Sequence, residues 1–238
     1  YMLYSFEHNI KELPKSIPLF PLNKVLLLPR AKLPLNLFEN RYLHMLDYAL
    51  TNKKIIGMIQ PRGKAVNDND KKTPSLYEVG CAGRVTAFSE TNDSRYELIL
   101  KGICRFKVKK ENKIINGFRS ASVDWGEYKK DFDTLSLISP KQRQDFEALL
   151  KIFLEKISIN ADWEMVETTN DEDLVNMISM CCPFDVSEKQ ALLEAKTLER
   201  RLEVLTSLMQ MGINENKMAS SGNPLSLIHI SEPTRPID

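Results

Sequence analysis

Apolar positions in the first half of the chain fall in short runs, several with a period of two. In the second half they recur at helical spacing. Ile17 to Leu22 and Val25 to Leu28 are apolar runs punctuated by Pro18, Pro21 and Pro29. Proline donates nothing to a strand ladder, so these runs are expected as edge or barrel-rim strands. Leu33, Leu35 and Leu37 alternate onto one face. The period then changes, and Tyr42, Leu43, Met45, Leu46, Ala49 and Leu50 fit a helix over Glu39 to Asn52. Ile55 to Gln60 reads as a strand with Gly57 inside it, and Pro61 to Pro74 as a polar loop. Three β segments follow, Val79 to Glu90, Tyr96 to Leu100 and Ile103 to Lys110. Thr91-Asn92-Asp93-Ser94 is the expected hairpin turn between the first two, and Gly102 a bulge or bend between the last two. Phe118 to Trp125 closes the β-rich part. Short strands with frequent Gly and Pro favour a barrel or a sandwich.

Beyond Trp125 the pattern becomes helical after a polar stretch. Ser139, Pro140 and Gln142 supply an N-cap, a proline at the first helical position and a capping-box glutamine. Phe146, Leu149, Leu150, Phe153, Leu154 and Ile157 form the apolar face of that helix. A second helix is expected over Glu172 to Met180. Asp171, Glu172 and Asp173 stand at its start, where the helix dipole favours carboxylates, and Pro183 follows it. Ser187 and Gln190 read as another capping box, opening one helix that runs to about Met211 and stops at Gly212. The expected division is a leader over residues 1–12, a β-barrel subdomain over 13–125, a linker over 126–138, a helical subdomain over 139–212 and a disordered tail over 213–238. Within the tail, Leu225 to Arg235 resembles the in-frame translation of a sequencing-library adapter. Its apolar residues and His229 are therefore set aside.

Composition narrows the function classes. The chain has 33 basic and 32 acidic residues and a net charge of +1, so the basic excess of a nucleic-acid binder is missing. Residues 1–14 mix Glu7, His8, Lys11 and Glu12 into their apolar positions and do not read as a signal peptide, and no apolar run reaches transmembrane length. A cytoplasmic protein without membrane contact is expected. Cys81, Cys104, Cys181 and Cys182 form no C-x-x-C pair, and a vicinal pair is poorly placed to chelate one zinc ion, so buried reduced thiols are expected. No P-loop, G-x-S-x-G or H-E-x-x-H motif occurs. His44 lies on the Glu39–Asn52 helix and reads as a surface or half-buried residue. The sequence offers no catalytic residue, no cofactor site and no metal site. Alternation puts Arg105, Lys107 and Lys109 on one face of a strand, read as a solvated face with a weak nucleic-acid contact as the alternative. Met177, Met180, Met209 and Met211 read as core, with an adaptable binding groove as the alternative.

Several tracts stand in a characteristic order. They are Ile17-Pro18-Leu19-Phe20-Pro21-Leu22, then Leu33-Pro34-Leu35-Asn36-Leu37-Phe38-Glu39-Asn40-Arg41-Tyr42, then Ile56-Gly57-Met58. Val79-Gly80-Cys81-Ala82-Gly83 and Leu100-Lys101-Gly102-Ile103-Cys104-Arg105-Phe106 follow. Asp173-Leu174-Val175-Asn176, Cys182-Pro183-Phe184 and Glu188-Lys189-Gln190-Ala191-Leu192-Leu193-Glu194 continue the series. Over Leu13 to Met211 the chain resembles the N-terminal substrate-binding domain of Lon proteases. It departs from many members at Pro29-Arg30, where they have Pro-Gly, and at Asp93-Ser94-Arg95, where they have Asp-Gly-Arg. Leu28-Pro29-Arg30 and the Cys182-Pro183-Phe184 stretch are closer to short bacterial members made of this domain alone.

The resemblance implies an α+β fold, a PUA-like β-barrel followed by a helical bundle. It implies a non-catalytic module that binds unfolded or partner proteins and peptides, with a protease complex among its candidate partners. It does not locate the binding surface, although an apolar groove near the barrel–bundle junction is the expected place. Glu39-Asn40-Arg41-Tyr42 is read as strand-to-helix junction chemistry, with Arg41 tying the helix to the barrel. Two other arrangements stay open: the N-terminal portion of a full-length ATP-dependent Lon protease, and a PUA-like RNA-binding module, which would need a basic concave face.

Overall fold

The computed structural model describes residues 10–63, 74–91, 95–133 and 137–214. His8, the turn over Asn92 to Ser94, most of the polar loop after Pro61 and the tail segment Leu225 to Arg235 lie outside the described residues. The strands are β1 (Ser16–Pro21), β2 (Lys32–Leu37), β3 (Ile55–Ile59), β4 (Pro61–Arg62), β5 (Ser75–Leu76), β6 (Val79–Glu90), β7 (Tyr96–Glu111) and β8 (Arg119–Asp124), with helix α1 (Asn40–Thr51) between β2 and β3. β1 runs parallel to β3, and the pairings β3–β6, β6–β7, β7–β8 and β8–β1 are antiparallel. These five strands therefore return to their starting point and close a barrel. β2 adds to the first half of β7, and β4 and β5 form a small separate ribbon.

The proline-containing run in β1 is not an edge strand. It is flanked on both sides, and Ile17, Leu19 and Phe20 are all buried. The two ladders overlap only at Leu19. Pro18 is registered only with Ser120 of β8, and Pro21 only with Ile59 of β3. Each proline thus meets a partner strand on one side only, so its missing N–H is tolerated inside the ring. The second run, Val25 to Leu28, forms no strand. Leu26, Leu27 and Leu28 are buried as an irregular segment laid against the barrel.

Two glycines explain how the barrel closes around a phenylalanine. A Cβ on Gly80 would stand 2.5 Å from the Phe106 ring and 2.5 Å from the Met58 carbonyl oxygen, and one on Gly57 would stand 2.9 Å from the same ring. Phe106 is fully buried and takes the space that both leave. Gly102 has a different task. Tyr96 to Glu111 is one strand, not the two segments expected, and Gly102 lies beside a bulge where Gly83 faces Gly102 but Ala82 faces Cys104. The 28–31 segment crosses there. The Arg30 N–H donates to the Gly102 carbonyl at 2.9 Å and the Gly102 N–H to the Ala31 carbonyl at 2.8 Å. A Cβ on Gly102 would fall 2.0 Å from the Leu28 carbonyl oxygen, so only glycine permits this approach.

Helix α1 packs on β1 and β3 through Tyr42, Met45, Leu46 and Ala49. The Tyr42 ring sits 4.4 Å from that of Phe20. Truncating Leu46 to alanine in so closed a site is expected to cost about 3 kcal/mol.

The rest of the chain is helical, completing an α+β fold with the helices in the C-terminal part. After a 3-10 helix over Gly126–Phe132 come α2 (Pro140–Lys156), α3 (Trp163–Thr168), α4 (Asp171–Cys181), α5 (Val186–Glu194) and α6 (Leu198–Asn214). The Ser139–Gln142 capping box forms as expected. The next box begins at Asp185 and closes on Glu188, two residues before the Ser187 start read from the sequence. The single helix expected from there to Met211 is broken at Ala195, Lys196 and Thr197, and Gly212 lies inside α6 rather than stopping it. Thr197 recaps the chain by accepting from the Arg200 N–H at 3.2 Å. α2 and α6 pack together, and the Phe153 and Phe184 rings stack 6.1 Å apart.

Candidate functional site

Barrel and helices meet around Arg105. Alternation along β7 suggested a solvated face for this residue, but its side chain is almost wholly enclosed, at 4% exposure. The outer face of the barrel is covered here by the 3-10 helix and by the break between α5 and α6. The guanidinium donates to Asp131 from Nη2 at 2.7 Å and from Nε at 3.0 and 3.2 Å, while the Arg105 backbone N–H meets the same carboxylate at 2.8 Å. Nη1 donates to the carbonyls of Leu193 and Ala195 at 2.9 and 2.5 Å, and the Tyr128 ring lies 4.4 Å from the guanidinium carbon. The carbonyls left open at the end of α5 are thereby satisfied by a cation, which the helix dipole also favours. Arg201 adds to the same knot, donating to the Leu192 carbonyl at 3.1 Å and to Asn176 at 2.9 Å. Burial, with Arg105 beside it, pulls the Arg201 guanidinium down to about 10. Gln60, at the end of β3, makes a second bridge by donating to the carbonyl of Val186 and to Gln190, both at 3.1 Å.

Residue 30 strengthens this junction. Arg30 has a left-handed φ of +67°, the conformation that glycine would take without strain. Its guanidinium donates to the carbonyls of Asp131 and Asp133 at 3.2 and 2.7 Å and pairs with Glu172 at 3.4 Å. The acidic start of α4 is therefore divided among structural partners. Asp171 holds Arg143 and the Ile138 N–H, both at 3.0 Å, and Asp173 meets Asn170. Among the described residues, no group of three His, Cys, Asp or Glu side chains is arranged to hold a metal ion.

The junction is thus a packed polar knot, and the apolar pocket described by the structure lies elsewhere. It sits between the end of α2, α3 and α4, lined by Leu154, Met165, Val166, Met177, Ile178 and Cys181 among others, and has a volume of about 40 Å³. The four methionines singled out from the sequence do not share one groove. Met177 lines this pocket, Met209 is buried, Met180 is half-buried and Met211 is exposed. Cys81, Cys104 and Cys182 are buried and Cys181 half-buried, all as free thiols. Burial raises all four above the usual thiol range, Cys182 to about 12, so they stay protonated at neutral pH.

Seven large apolar side chains are exposed among the described residues, and three of them stand in segments that adjoin or touch the start of α1. Phe38 is 65% exposed, Ile114 60% and Ile115 39%. The loop carrying the two isoleucines touches the first turns of α1: the Asn116 carbonyl lies 3.3 Å from His44 Nδ1, and Gly117 packs against Arg41. Arg41 does not tie the helix to the barrel by an ion pair. It pairs with Glu39, two residues earlier, at 2.7 Å and lies over the Tyr42 ring at 4.6 Å. Glu39 itself is the N-cap of α1 but makes no side-chain cap bond. Leu35 is half-buried against the core, whereas Phe38, which follows β2, faces solvent.

The basic stretch of β7 does not form an unmatched stripe. Lys107 pairs with Glu78 at 3.4 Å, Lys109 pairs with Asp124 at 3.1 Å, and Arg105 is buried.

The arrangement of barrel, bundle and motif residues matches a known family. Residues 16–211 fit the family described as the ATP-dependent protease La (LON) substrate-binding domain. The chain belongs to the Lon substrate-binding domain family. It is 24% identical over 206 residues to a Lon protease of Desulfosudis oleivorans, covering 85% of this chain and 25% of that protein. It is 25% identical over 218 residues to a Lon protease of Flavobacterium johnsoniae, covering 89% of this chain and 26% of that one. The chain thus spans about a quarter of the length of these curated relatives. Among solved structures, the Lon N-terminal domain protein of Xanthomonas campestris is similar with a TM-score of 0.58 and 25% identity, covering 81% of this chain and 97% of that one. The N-terminal domain of a Mycobacterium avium complex Lon protease has a TM-score of 0.58 at 14% identity, covering 82% and 98%, and shows the fold alone. Gly57, Gly80, Gly83, Gly102, Arg105 and Phe106 of the Lon-type tracts are here a packing set around the barrel interior and the junction. No helix among the described residues is long and apolar enough to cross a membrane.

Proposed function

We propose that this Lon-type domain is a non-catalytic recognition module that holds apolar segments of unfolded or partner proteins, in the service of ATP-dependent proteolysis. The match to the substrate-binding family across both barrel and helices carries this reading. The exposed side chains of Phe38, Ile114 and Ile115 give it a physical means. Covering what these three expose contributes roughly 4 kcal/mol gross. That is about the lower end of what association alone costs, so three side chains do not hold a partner by themselves. A bound segment must lie over more of the surface, and weak, sequence-tolerant capture is the expected behaviour. The buried Arg105 knot suits this use, because its hydrogen bonds join barrel and bundle so that they present one surface. The proteolytic role is proposed from the relatives, and it applies equally to a stand-alone domain and to the N-terminal portion of a longer Lon chain.

The experiment is a titration of the full chain against a fluorescently labelled protein held unfolded by alkylation of its cysteines, with the same protein in native form as control. Saturable binding of the unfolded form alone is expected. Equal binding of both forms, or none of either, refutes the reading.

A further inference from the structure

The small pocket between α2, α3 and α4 is rich in sulfur. Met165, Met177, Cys181 and Cys182 all line it, and apart from Asp162 the rest of its wall is aliphatic. Met177 and Cys181 stand four residues apart on α4, so they share one face of that helix, with Cβ atoms roughly 6 Å from each other. Met165 joins them from α3. These three side chains are half-buried, and Cys182 is buried.

Methionine is the side chain best able to swing into a gap in a core. Two of them nevertheless border a cavity of about 40 Å³. That space is far below the roughly 300 Å³ or more of a pocket for an organic ligand, and it suits a single ion. Asp162 offers no oxygen to spare, because its carboxylate accepts the Met165 N–H at 3.1 Å as the cap of α3.

We propose that this pocket binds one copper(I) ion through the thioethers of Met165 and Met177 and the thiolate of Cys181. Soft thiolate and thioether sulfurs select copper(I) among the biological metals. The Cys181 thiol passes its proton to solvent as its sulfur binds the ion. One thiolate then cancels one positive charge, and the apolar wall surrounds a neutral group. Zinc does not fit this set. It takes thiolate, imidazole and carboxylate, and here thioethers would have to fill its remaining positions. The proposal stands apart from the recognition reading and does not depend on it.

The test titrates the reduced full chain with copper(I) in the absence of oxygen, against bicinchoninate as a coloured competing chelator. One equivalent of copper is expected to pass from the chelator to the protein. Loss of a group that merely supports a metal ligand costs about tenfold or more in affinity, so loss of the ligands themselves should cost at least about tenfold. The double variant Met165→Leu, Met177→Leu conserves volume and should show that loss with its fold intact, as thermal melts will verify. Cys181→Ser should show it too. Wild-type affinity in the methionine variant overturns the proposal, because thiols alone would then hold the copper. So does a chain that takes no copper from the chelator, or one that binds zinc as tightly in a parallel titration. Should Cys181→Ser fail to fold, X-ray absorption of the copper-loaded wild type decides. Three sulfur neighbours support the site, and a nitrogen or oxygen neighbour overturns it.

Discussion

Asp131 holds both the side chain and the backbone N–H of Arg105, at 2.7 and 2.8 Å, with the two side chains only 6% and 4% exposed. Burial alone would lower the Arg105 pKa, but the hydrogen bonds and charge of Asp131 reverse this and raise it. Replacing Asp131 with alanine strands a buried cation and is expected to destabilise the protein by about 3–5 kcal/mol. The double variant Arg105→Met, Asp131→Leu should recover a substantial part of that. Chemical denaturation of the three proteins checks this, and equal stability of wild type and Asp131→Ala would show that the pair does not hold the two halves together.

Arg30 separates backbone strain from side-chain bonding. Arg30→Ala loses the contacts to Asp131, Asp133 and Glu172 and keeps the left-handed φ, whereas Arg30→Gly loses the same contacts and relieves it. The glycine variant should be more stable than the alanine variant by about 1 kcal/mol. Both should be less stable than wild type. Thermal melts of the pair read the difference directly.

Gly102→Ala places a Cβ 2.0 Å from the Leu28 carbonyl, a backbone atom with no rotamer to yield. A loss of about 3 kcal/mol or more is expected. Gly63→Ala meets nothing within 4 Å and is strained only by its φ of +90°. Its loss should be nearer 1 kcal/mol. Circular dichroism melts that rank the two the other way round would contradict the crossing of the 28–31 segment over β7.

The thiols set an alkaline limit on stability. Burial first, and then Cys181, raise Cys182 from 9.0 to about 12, while Lys189 opposes them. The unfolded chain therefore gives up this proton before the folded chain does. The stabilising contribution is full below pH 9.0 and is lost as pH climbs toward 12. Denaturation midpoints should fall over that interval, and more gently in Cys182→Ala, despite the cavity that this variant leaves at every pH.

What the sequence disclosed depended on how local the cause was. The Ser139–Gln142 box and the α1 face of Tyr42, Met45, Leu46 and Ala49 rest on neighbours within one or two turns, and both could be read directly. Arg105 could not. Its alternation with Phe106 is genuine, but the elements that cover it lie 26 and about 90 residues further on, at Asp131, Leu193 and Ala195. The break between α5 and α6 was hidden because it contains neither glycine nor proline. It is stabilised by the carbonyl bonds of Arg105 and Arg201 and by the cap at Thr197. The six-residue α3 was too short to show a period. Of the exposed surface, Phe38 stood within a recognised tract, yet nothing local marks it as solvent-facing. Lys53 and Lys54 carry no sequence sign of their left-handed backbone.

The rim around α1 is the surface proposed to hold apolar segments of other chains. The most direct measurement is the affinity of an unfolded protein for wild type and for the double variant Phe38→Ser, Ile114→Ser, with thermal melts of both. Because both side chains are more than half exposed, the variant should melt within a degree or two of wild type. Its affinity should fall roughly tenfold or more. An unchanged affinity with an unchanged melt would place recognition on another face.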